Sequence, residues 1–230
     1  MIVLHLQKTV ISIAIVTLFM AFLLVLVNIA LRKYDPLSKP KGLVLLMIMA
    51  VEFVENLVRQ ACKKDELVNR LSPYFATVIL YIFLSNISGL FNVESPTANY
   101  SVTLTLAIIS VLLIEGNSIK YNSLKGYIKG LFEPFAPFFV MNVFSKLSTL
   151  LSLSLRLFGN ILAGGVLMSI IYQLLAKISS FIPVIGNFNV IALVVAPFLH
   201  FYFDLFSGVM QAYIFTTLSV SFIGNELPES

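Results

Sequence analysis

Apolar residues occur along this chain in long runs that short polar segments separate. About 20 helical residues cross a hydrocarbon layer about 30 Å thick, and most of the runs reach or exceed that length. The pattern therefore predicts an all-α integral membrane protein that forms a single membrane domain over residues 1–230. The five predicted spans are about 9–30, 74–91, 99–114, 137–176 and 190–223.

The last two runs are longer than one perpendicular crossing. A helix over 137–176 would be about 60 Å long, twice the hydrocarbon thickness. It must tilt strongly, bend, or break near Gly164-Gly165. Pro197 is expected to kink the run 190–223 or to set its first part apart. We expect these two helices to form a long, tilted hairpin.

Three segments carry too many polar residues for a span. Segment 43–60 is apolar at first but carries charges from Glu52 onwards, so it predicts a helix lying at the membrane interface. Residues 65–73 are expected to form a polar connection that ends at Pro73. Residues 115–133, rich in Lys, Gly and Asn, are expected to form a cytoplasmic loop.

Composition and charge agree with lipid around the chain. Of 230 residues, 59% are hydrophobic and 11% are charged, whereas a soluble domain carries about 25% charged residues. The net charge of +4 lies in short basic clusters between the apolar runs, which is typical of cytoplasmic loops. We therefore expect a lipid bilayer and no nucleic acid as a partner, with the N-terminus outside and the C-terminus cytoplasmic. The clusters are Arg32-Lys33, Lys39 with Lys41, Arg59 with Lys63-Lys64, and Lys120, Lys125 and Lys129.

Arg156 lies in the middle of the apolar run 151–161, with no acidic residue nearby in the sequence. An unpaired guanidinium at membrane depth costs about 3 kcal/mol or more. Arginine cannot lose its proton to avoid that cost. Either a carboxylate from elsewhere or a water-filled cavity must therefore compensate the charge.

Small and polar residues recur around Arg156 at spacings of three or four, so they form one stripe along the predicted helix. The serines alone also fit a packing seam between helices, but a seam needs no charge. Lys146 is expected to extend to an interface, and we assign it no role. The stripe consists of Asn142, Ser145, Thr149, Ser152, Arg156, Asn160 and Ala163.

The last predicted helix carries a second polar face, formed by His200, Asp204, Ser207 and Gln211. A carboxylate buried in the membrane exchanges protons only where water or polar groups reach it. We interpret His200, Asp204 and Gln211 as a polar proton path in the outer half of the membrane. A structural ion pair between Asp204 and Arg156 is the alternative, and the two are not exclusive.

Cofactor chemistry is not expected on this chain. One cysteine, Cys62, and two distant histidines cannot build a metal cluster. The sequence has no phosphate-binding glycine loop and no nucleophile elbow. We therefore expect no cofactor, no metal and no catalytic site within this chain. Cys62 is expected at a helix surface, and a thiol acidified by its basic neighbours is the alternative.

Two motifs, one around the arginine and one around the glutamine, together resemble a known family. Ser154-Leu155-Arg156-Leu157-Phe158-Gly159-Asn160, followed by Ala163-Gly164, closely resembles the signature of subunit a of F-type ATP synthases. Gln211-Ala212-Tyr213-Ile214-Phe215 is similar to a segment of that family's last helix. Earlier stretches also look like the family, namely Ser85-Asn86-Ile87-Ser88-Gly89-Leu90 and Pro96-Thr97-Ala98-Asn99.

The resemblance implies a stationary subunit beside a rotating ring of c subunits, each with a carboxylate at mid-membrane. Two offset aqueous half-channels would connect that carboxylate to opposite sides. Arg156 would stand between them, attract the ionised carboxylate and stop direct proton leakage, with Asn160 and Gln211 beside the half-channels. The hairpin of the last two helices would face the ring. The implied partners are the c-ring, the peripheral-stalk subunit b and the rest of the F1Fo complex.

Three positions depart from the pattern that the resemblance implies. Where many members carry Glu or His nine residues after the arginine, this chain has Gly165. Where many carry His or Glu seven residues before the glutamine, it has Asp204. These two positions face each other in the family, so we hypothesise that Asp204 alone does the work of the pair. Asn142 replaces a frequent Glu fourteen residues before the arginine, so no acidic group is expected there.

Two other functions remain open at this stage. A stand-alone ion channel or secondary transporter would need paired charges from several helices, or internal repeats, which this sequence lacks. A structural scaffold would not need Arg156. A bacterial plasma membrane is favoured over a mitochondrial inner membrane by the lysine-rich loops. The sequence leaves the choice between H⁺ and Na⁺ open.

Overall fold

The structure is a computed structural model, and it describes residues 8–34, 39–62, 64–91, 93–180 and 190–226. Within these ranges the protein consists of helices and short connections. Five helical stretches are long and apolar enough to cross a membrane, which confirms the predicted fold class. The helices are α1 (Lys8–Arg32), α2 (Leu43–Ala61), α3 (Asp65–Ile87), α4 (Tyr100–Leu131), α5 (Phe138–Ser179), α6 (Val190–His200) and α7 (Ser207–Asn225). Two 3₁₀ turns, Ser88–Phe91 and Pro96–Ala98, connect α3 to α4, and a π-helical segment, Phe201–Phe206, joins α6 to α7.

Helix α3 begins earlier than the sequence pattern indicated. It starts at Asp65 and contains Pro73, so the prediction of a polar connection over 65–73 is wrong. Leu67, Val68 and Leu71 are buried in its first two turns, because apolar residues at helical spacing face the core there. The helix continues through the proline, and Ser72, just before it, donates from Oγ to the Val68 carbonyl oxygen at 2.7 Å.

Helix α4 continues through most of the predicted cytoplasmic loop. It is helical to Leu131 except at a kink at Ser123 (φ 62°, ψ 152°), which divides it into two helical parts, so the prediction of a loop over 115–133 is wrong. Several polar side chains in this part bond within the protein. Asn117, for example, is buried and donates to the Leu113 carbonyl oxygen at 2.7 Å.

Helix α5 is unbroken over 42 residues. At 1.5 Å per residue it is about 63 Å long. A break near Gly164-Gly165 is therefore excluded, and tilting or bending remains the way to fit this helix to a bilayer. Helix α6 runs through Pro197, and the departure from α-helical geometry follows at Phe201–Phe206.

Two apolar clusters hold the bundle together. The first joins α2, α3, α4 and α7, and the second joins α3, α4, α5 and α7. The outward faces of α1 and α5 carry many exposed large apolar side chains, as expected where lipid is the solvent. Phe75 and Phe215, each 0% exposed, are the largest fully buried side chains in these clusters.

Cys62 belongs to the first cluster and is fully buried at the end of α2. The expectation of a surface cysteine is therefore wrong. Burial raises the pKa of its thiol, because a thiolate would lose its hydration there. The alternative of a thiol acidified by its basic neighbours is therefore also wrong.

Gly208→Ala is expected to destabilise the bundle. Gly208 is buried where α7 crosses α3, and an added Cβ would lie 2.7 Å from the Asn86 Cβ. Such overpacking costs about 1–3 kcal/mol. Thermal unfolding in detergent should therefore occur at a lower temperature than in the wild-type protein.

Gly116→Ala is the matched control, because an added Cβ there meets nothing within 4 Å and alanine favours helix. Equal unfolding temperatures for Gly208→Ala and Gly116→Ala would contradict close packing of α7 on α3.

Candidate functional site

Arg156 lies at the edge of the bundle, on α5. Its neighbours Leu153 and Leu157 are buried in the second apolar cluster, which fixes the rotation of the helix at this point. The guanidinium itself is half-buried, and its Nη2 donates to Ser152 Oγ at 3.4 Å. None of the ion pairs among the described residues involves Arg156. The positive charge is thus presented at a surface without a carboxylate partner from the described part of the chain.

The predicted stripe follows the open side of α5. Ser145, Ser152 and Ala163 are exposed, and the remaining members, including Arg156, are half-buried. A seam packed against another helix of this chain would be buried instead. The exposed members of the stripe are therefore available for contact with another molecule.

Asp204 bonds to His200 and not to Arg156. The Asp204 Oδ2 and His200 Nδ1 atoms are 2.6 Å apart, and His200 Nε2 lies 2.8 Å from the Tyr172 hydroxyl. This gives a hydrogen-bonded chain from α5 to the π-helical segment. The alternative of an Asp204–Arg156 ion pair is therefore not found. Tyr172 was missed in the sequence, because nothing in an apolar run indicates which tyrosine meets a histidine.

Asn160 and Ser207 link α5 to α7. Asn160 Nδ2 donates to Ser207 Oγ at 2.8 Å, and Ser207 Oγ donates to Asn160 Oδ1 at 3.0 Å. Gln211, one turn further along α7, is 6% exposed, and its Nε2 lacks a hydrogen-bond partner among the described residues. The structure thus brings His200 and Asp204 together and places Gln211 apart from them.

A cavity of about 610 Å³, here the first cavity, reaches Asp204 and Asn160 from the end of the bundle where α3 connects to α4. Polar groups from that connection line it, including Glu94, Ser95 and Asn99. Gly164 and Gly165 form part of its wall. Gly165 and Asp204 therefore line the same space, and the missing side chain at Gly165 leaves room there.

A cavity of about 520 Å³, here the second cavity, lies at the opposite end, where α4 connects to α5 and α7 ends. It reaches Asn142, Ser145 and Lys146 on α5, and a smaller adjoining cavity of about 130 Å³ continues to Thr149. The two ends are opposite because the part of α4 before its kink runs from Tyr100, at the first cavity, to Asn122, at the second, which is about 33 Å of helix rise.

The two cavities approach Arg156 from opposite directions along α5. Thr149 precedes it by about 10 Å of helix rise, and Asn160 follows it by about 6 Å. No cavity described here includes Arg156 among its lining residues. Arg156 therefore lies, along α5, between the residues that line two polar spaces at opposite ends of the bundle.

Comparison with known proteins gives one consistent result. The ATP synthase A chain family matches residues 10–224. Relatives named ATP synthase subunit a, from Staphylococcus aureus strains JH9, Newman and JH1, are each 32% identical over 226 residues, covering 93% of this chain and 88% of theirs. The match includes all seven helices except the first residues of α1 and the last residue of α7. The chain therefore belongs to the ATP synthase A chain family.

Proposed function

We propose that this chain is the stationary proton-conducting subunit of a rotary F-type ATP synthase, with one half-channel in each of the two cavities. The observation that carries the proposal is the position of Arg156, between two polar cavities and on the open side of α5. An arginine without a partner at membrane depth needs a negative charge. A carboxylate on a passing c subunit would supply it.

In this proposal a proton enters the first cavity through water and reaches Asp204. The carboxylate takes up the proton and passes it, through water beside Asn160, to the ionised carboxylate of a c subunit. His200 and Tyr172 hold Asp204 in place by hydrogen bonds. The protonated c subunit leaves through lipid. After a full rotation its carboxylate releases the proton into the second cavity.

Arg156 acts in this scheme by electrostatics. The guanidinium attracts the ionised carboxylate of a c subunit. Passage of a protonated carboxyl group beside Arg156 is therefore unfavourable. Because arginine keeps its proton, it cannot itself transfer protons between the cavities. Gln211 is buried on α7, and we expect it to limit the access of water to Arg156 on α5. Both actions keep the proton flow coupled to rotation.

We further propose the orientation and the partners. The first cavity would open to the outside of a bacterial plasma membrane and the second to the cytoplasm, with the N-terminus outside and the C-terminus inside. The c-ring would contact the polar stripe of α5. Subunit b and the remaining F1Fo subunits would complete the complex, in which ATP chemistry occurs elsewhere.

Purification of the tagged chain in mild detergent tests this proposal. A ring of small, carboxylate-bearing membrane subunits and a soluble ATPase head are expected to co-purify, because the exposed stripe requires a partner. The isolated chain in liposomes should not conduct protons, since the ring carboxylates are missing. Conduction by the chain alone would contradict the proposal and support a stand-alone channel or transporter.

A further inference from the structure

Lys146 is the centre of an ionic cluster that the sequence did not indicate. Its Nζ lies 2.9 and 2.8 Å from the two carboxylate oxygens of Glu115 and 3.1 Å from Glu226 Oε1. The cluster joins α4, α5 and the residue after α7. Lys146 therefore does not simply extend to an interface, as the sequence suggested.

Hydroxyl groups complete the cluster. The Tyr127 hydroxyl donates to Glu115 Oε2 at 2.7 Å, and Ser118 Oγ donates to Glu226 Oε2 at 2.8 Å. The Lys146 ammonium also lies 5.0 Å from the centre of the Tyr127 ring. Both carboxylates thus accept hydrogen bonds from hydroxyl groups as well as from the ammonium of Lys146.

The charges in the cluster do not balance. Two carboxylates share one ammonium, which leaves one net negative charge. Binding of one proton to a carboxylate oxygen makes the cluster neutral, and release of that proton restores the negative charge. The Glu115, Lys146 and Glu226 side chains are 20%, 24% and 36% exposed, so water can reach them.

The cluster lies where the second cavity meets the smaller cavity. Lys146 and Glu226 line both cavities, and Glu115 lines the smaller one. From there Thr149, Ser152 and Arg156 follow along α5 at spacings of three or four residues. Each step is about 5 Å of helix rise, which one water molecule can bridge. Two other ionisable side chains line the second cavity, Tyr127 and Glu133, the latter from the segment between α4 and α5.

We propose that Glu115 and Glu226, held together by Lys146, form the proton-exchanging group of the second cavity. This inference rests on the proposed function and adds to it. The pair takes a proton released by the ring and passes it to water in the second cavity, or does the reverse. Lys146 is a positioning residue, because it holds the two carboxylates and does not itself transfer the proton. The end of α7 thereby becomes part of the proton path.

The double variant Glu115→Gln with Glu226→Gln tests the proposal in vesicles that contain the whole complex. ATP-driven pumping is expected to fall about tenfold or more, since positioned acid–base groups contribute at least that much to proton transfer. Each single variant should keep part of the activity, because one carboxylate remains. Glu66→Gln is the matched control, since Glu66 pairs with Lys120 at an exposed surface away from the cavities.

Lys146→Gln tests the positioning role by its pH profile. Without the ammonium the two carboxylates repel each other, so the cluster holds a proton up to higher pH. Proton conduction through complexes stripped of the soluble head should therefore shift its pH dependence to higher pH. Lys146→Arg should restore the wild-type profile. A purely structural lysine would lower the amount of complex without moving the profile.

Three results would overturn the inference. The first is wild-type pumping by the assembled double variant. The second is an unchanged pH profile in Lys146→Gln, and the third is an equal loss in Glu66→Gln. If the double variant does not assemble, the pH profile of proton conduction is measured in Glu226→Gln instead, because Glu115 and Lys146 remain paired in that variant. A wild-type profile there would overturn the inference. Failure of the wild-type complex to pump protons would instead contradict the proposed function.

Discussion

Asp204→Asn is expected to lower ATP-driven proton pumping by about two orders of magnitude, the lower end of the scale on which a positioned acid–base group contributes. Asp204 is the carboxylate on the last helices that lines the first cavity, and Gly165 provides no second group beside it. Asparagine keeps the size and can still bond to His200, but it cannot bind and release a proton. Pumping in inside-out vesicles, followed with a pH-sensitive dye, measures the loss.

A second substitution makes this prediction specific. Gly165 lines the same cavity, and an added Cβ there meets nothing within 4 Å. Gly165→Glu in the Asp204→Asn background should therefore restore part of the pumping by placing a carboxylate on the other helix. Asp65→Asn, at an exposed site paired with Arg59, is the control for loss of an aspartate. Undiminished pumping by Asp204→Asn would show that Asp204 does not replace the two acid–base groups expected at positions 165 and 204.

The features that the sequence predicted correctly depend on long, uniform patterns. The number of spans follows from apolar runs, because an apolar stretch of that length has no other favourable solvent than lipid. The stripe around Arg156 also follows from spacing alone, since helix geometry places residues three or four apart on one face. The same spacing placed His200 and Asp204 on one face, but the hydrogen bond between them is seen only in the structure.

The features that the sequence did not predict depend on contacts between distant segments. The first turns of α3 contain charged residues, so the sequence there looks polar. The leucines of these turns are buried because the helix packs against α2 and α7. Glu115 and Glu226 are separated by more than a hundred residues and meet at Lys146. A single sequence does not show which distant residues meet in this way. The unusual charge of Lys146 within an apolar run was the available indication.

The π-helical segment has a local cause that the sequence shows only in part. Pro197 lacks an N–H group and crowds the carbonyl one turn earlier. Helix α6 nevertheless continues, and the irregular hydrogen bonding follows at Phe201–Phe206, where it includes Asp204. Such segments often occur at functional sites. A kink at the proline was the expected outcome, and the structure instead continues α6 through the proline to His200.

Arg156→Ala is expected to reduce coupled pumping about 100-fold or more. This is the scale of loss when one fixed group that stabilises a charge is removed. Without the guanidinium nothing holds the ionised ring carboxylate, and protons can pass between the cavities without rotation. Hydrolysis of ATP by the soluble head should remain measurable, because this chain takes no part in that chemistry. The loss therefore concerns coupling and not assembly.

Arg70→Ala is the matched control, because Arg70 is an exposed arginine on α3 that lines neither cavity. Co-purification of the ring and head with each variant shows that the complex is intact. Arg156→Lys adds a second comparison, since lysine keeps a positive charge but loses the fixed planar geometry and can release its proton. Its pumping should lie well below that of the wild type.

The central claim is that Arg156 separates two half-channels and couples them through the ring. Its most direct test is ATP-driven proton pumping in inside-out vesicles that carry Arg156→Ala, measured together with ATP hydrolysis. The account predicts hydrolysis without detectable acidification, while Arg70→Ala pumps like the wild type. Acidification by Arg156→Ala at the wild-type rate would contradict it.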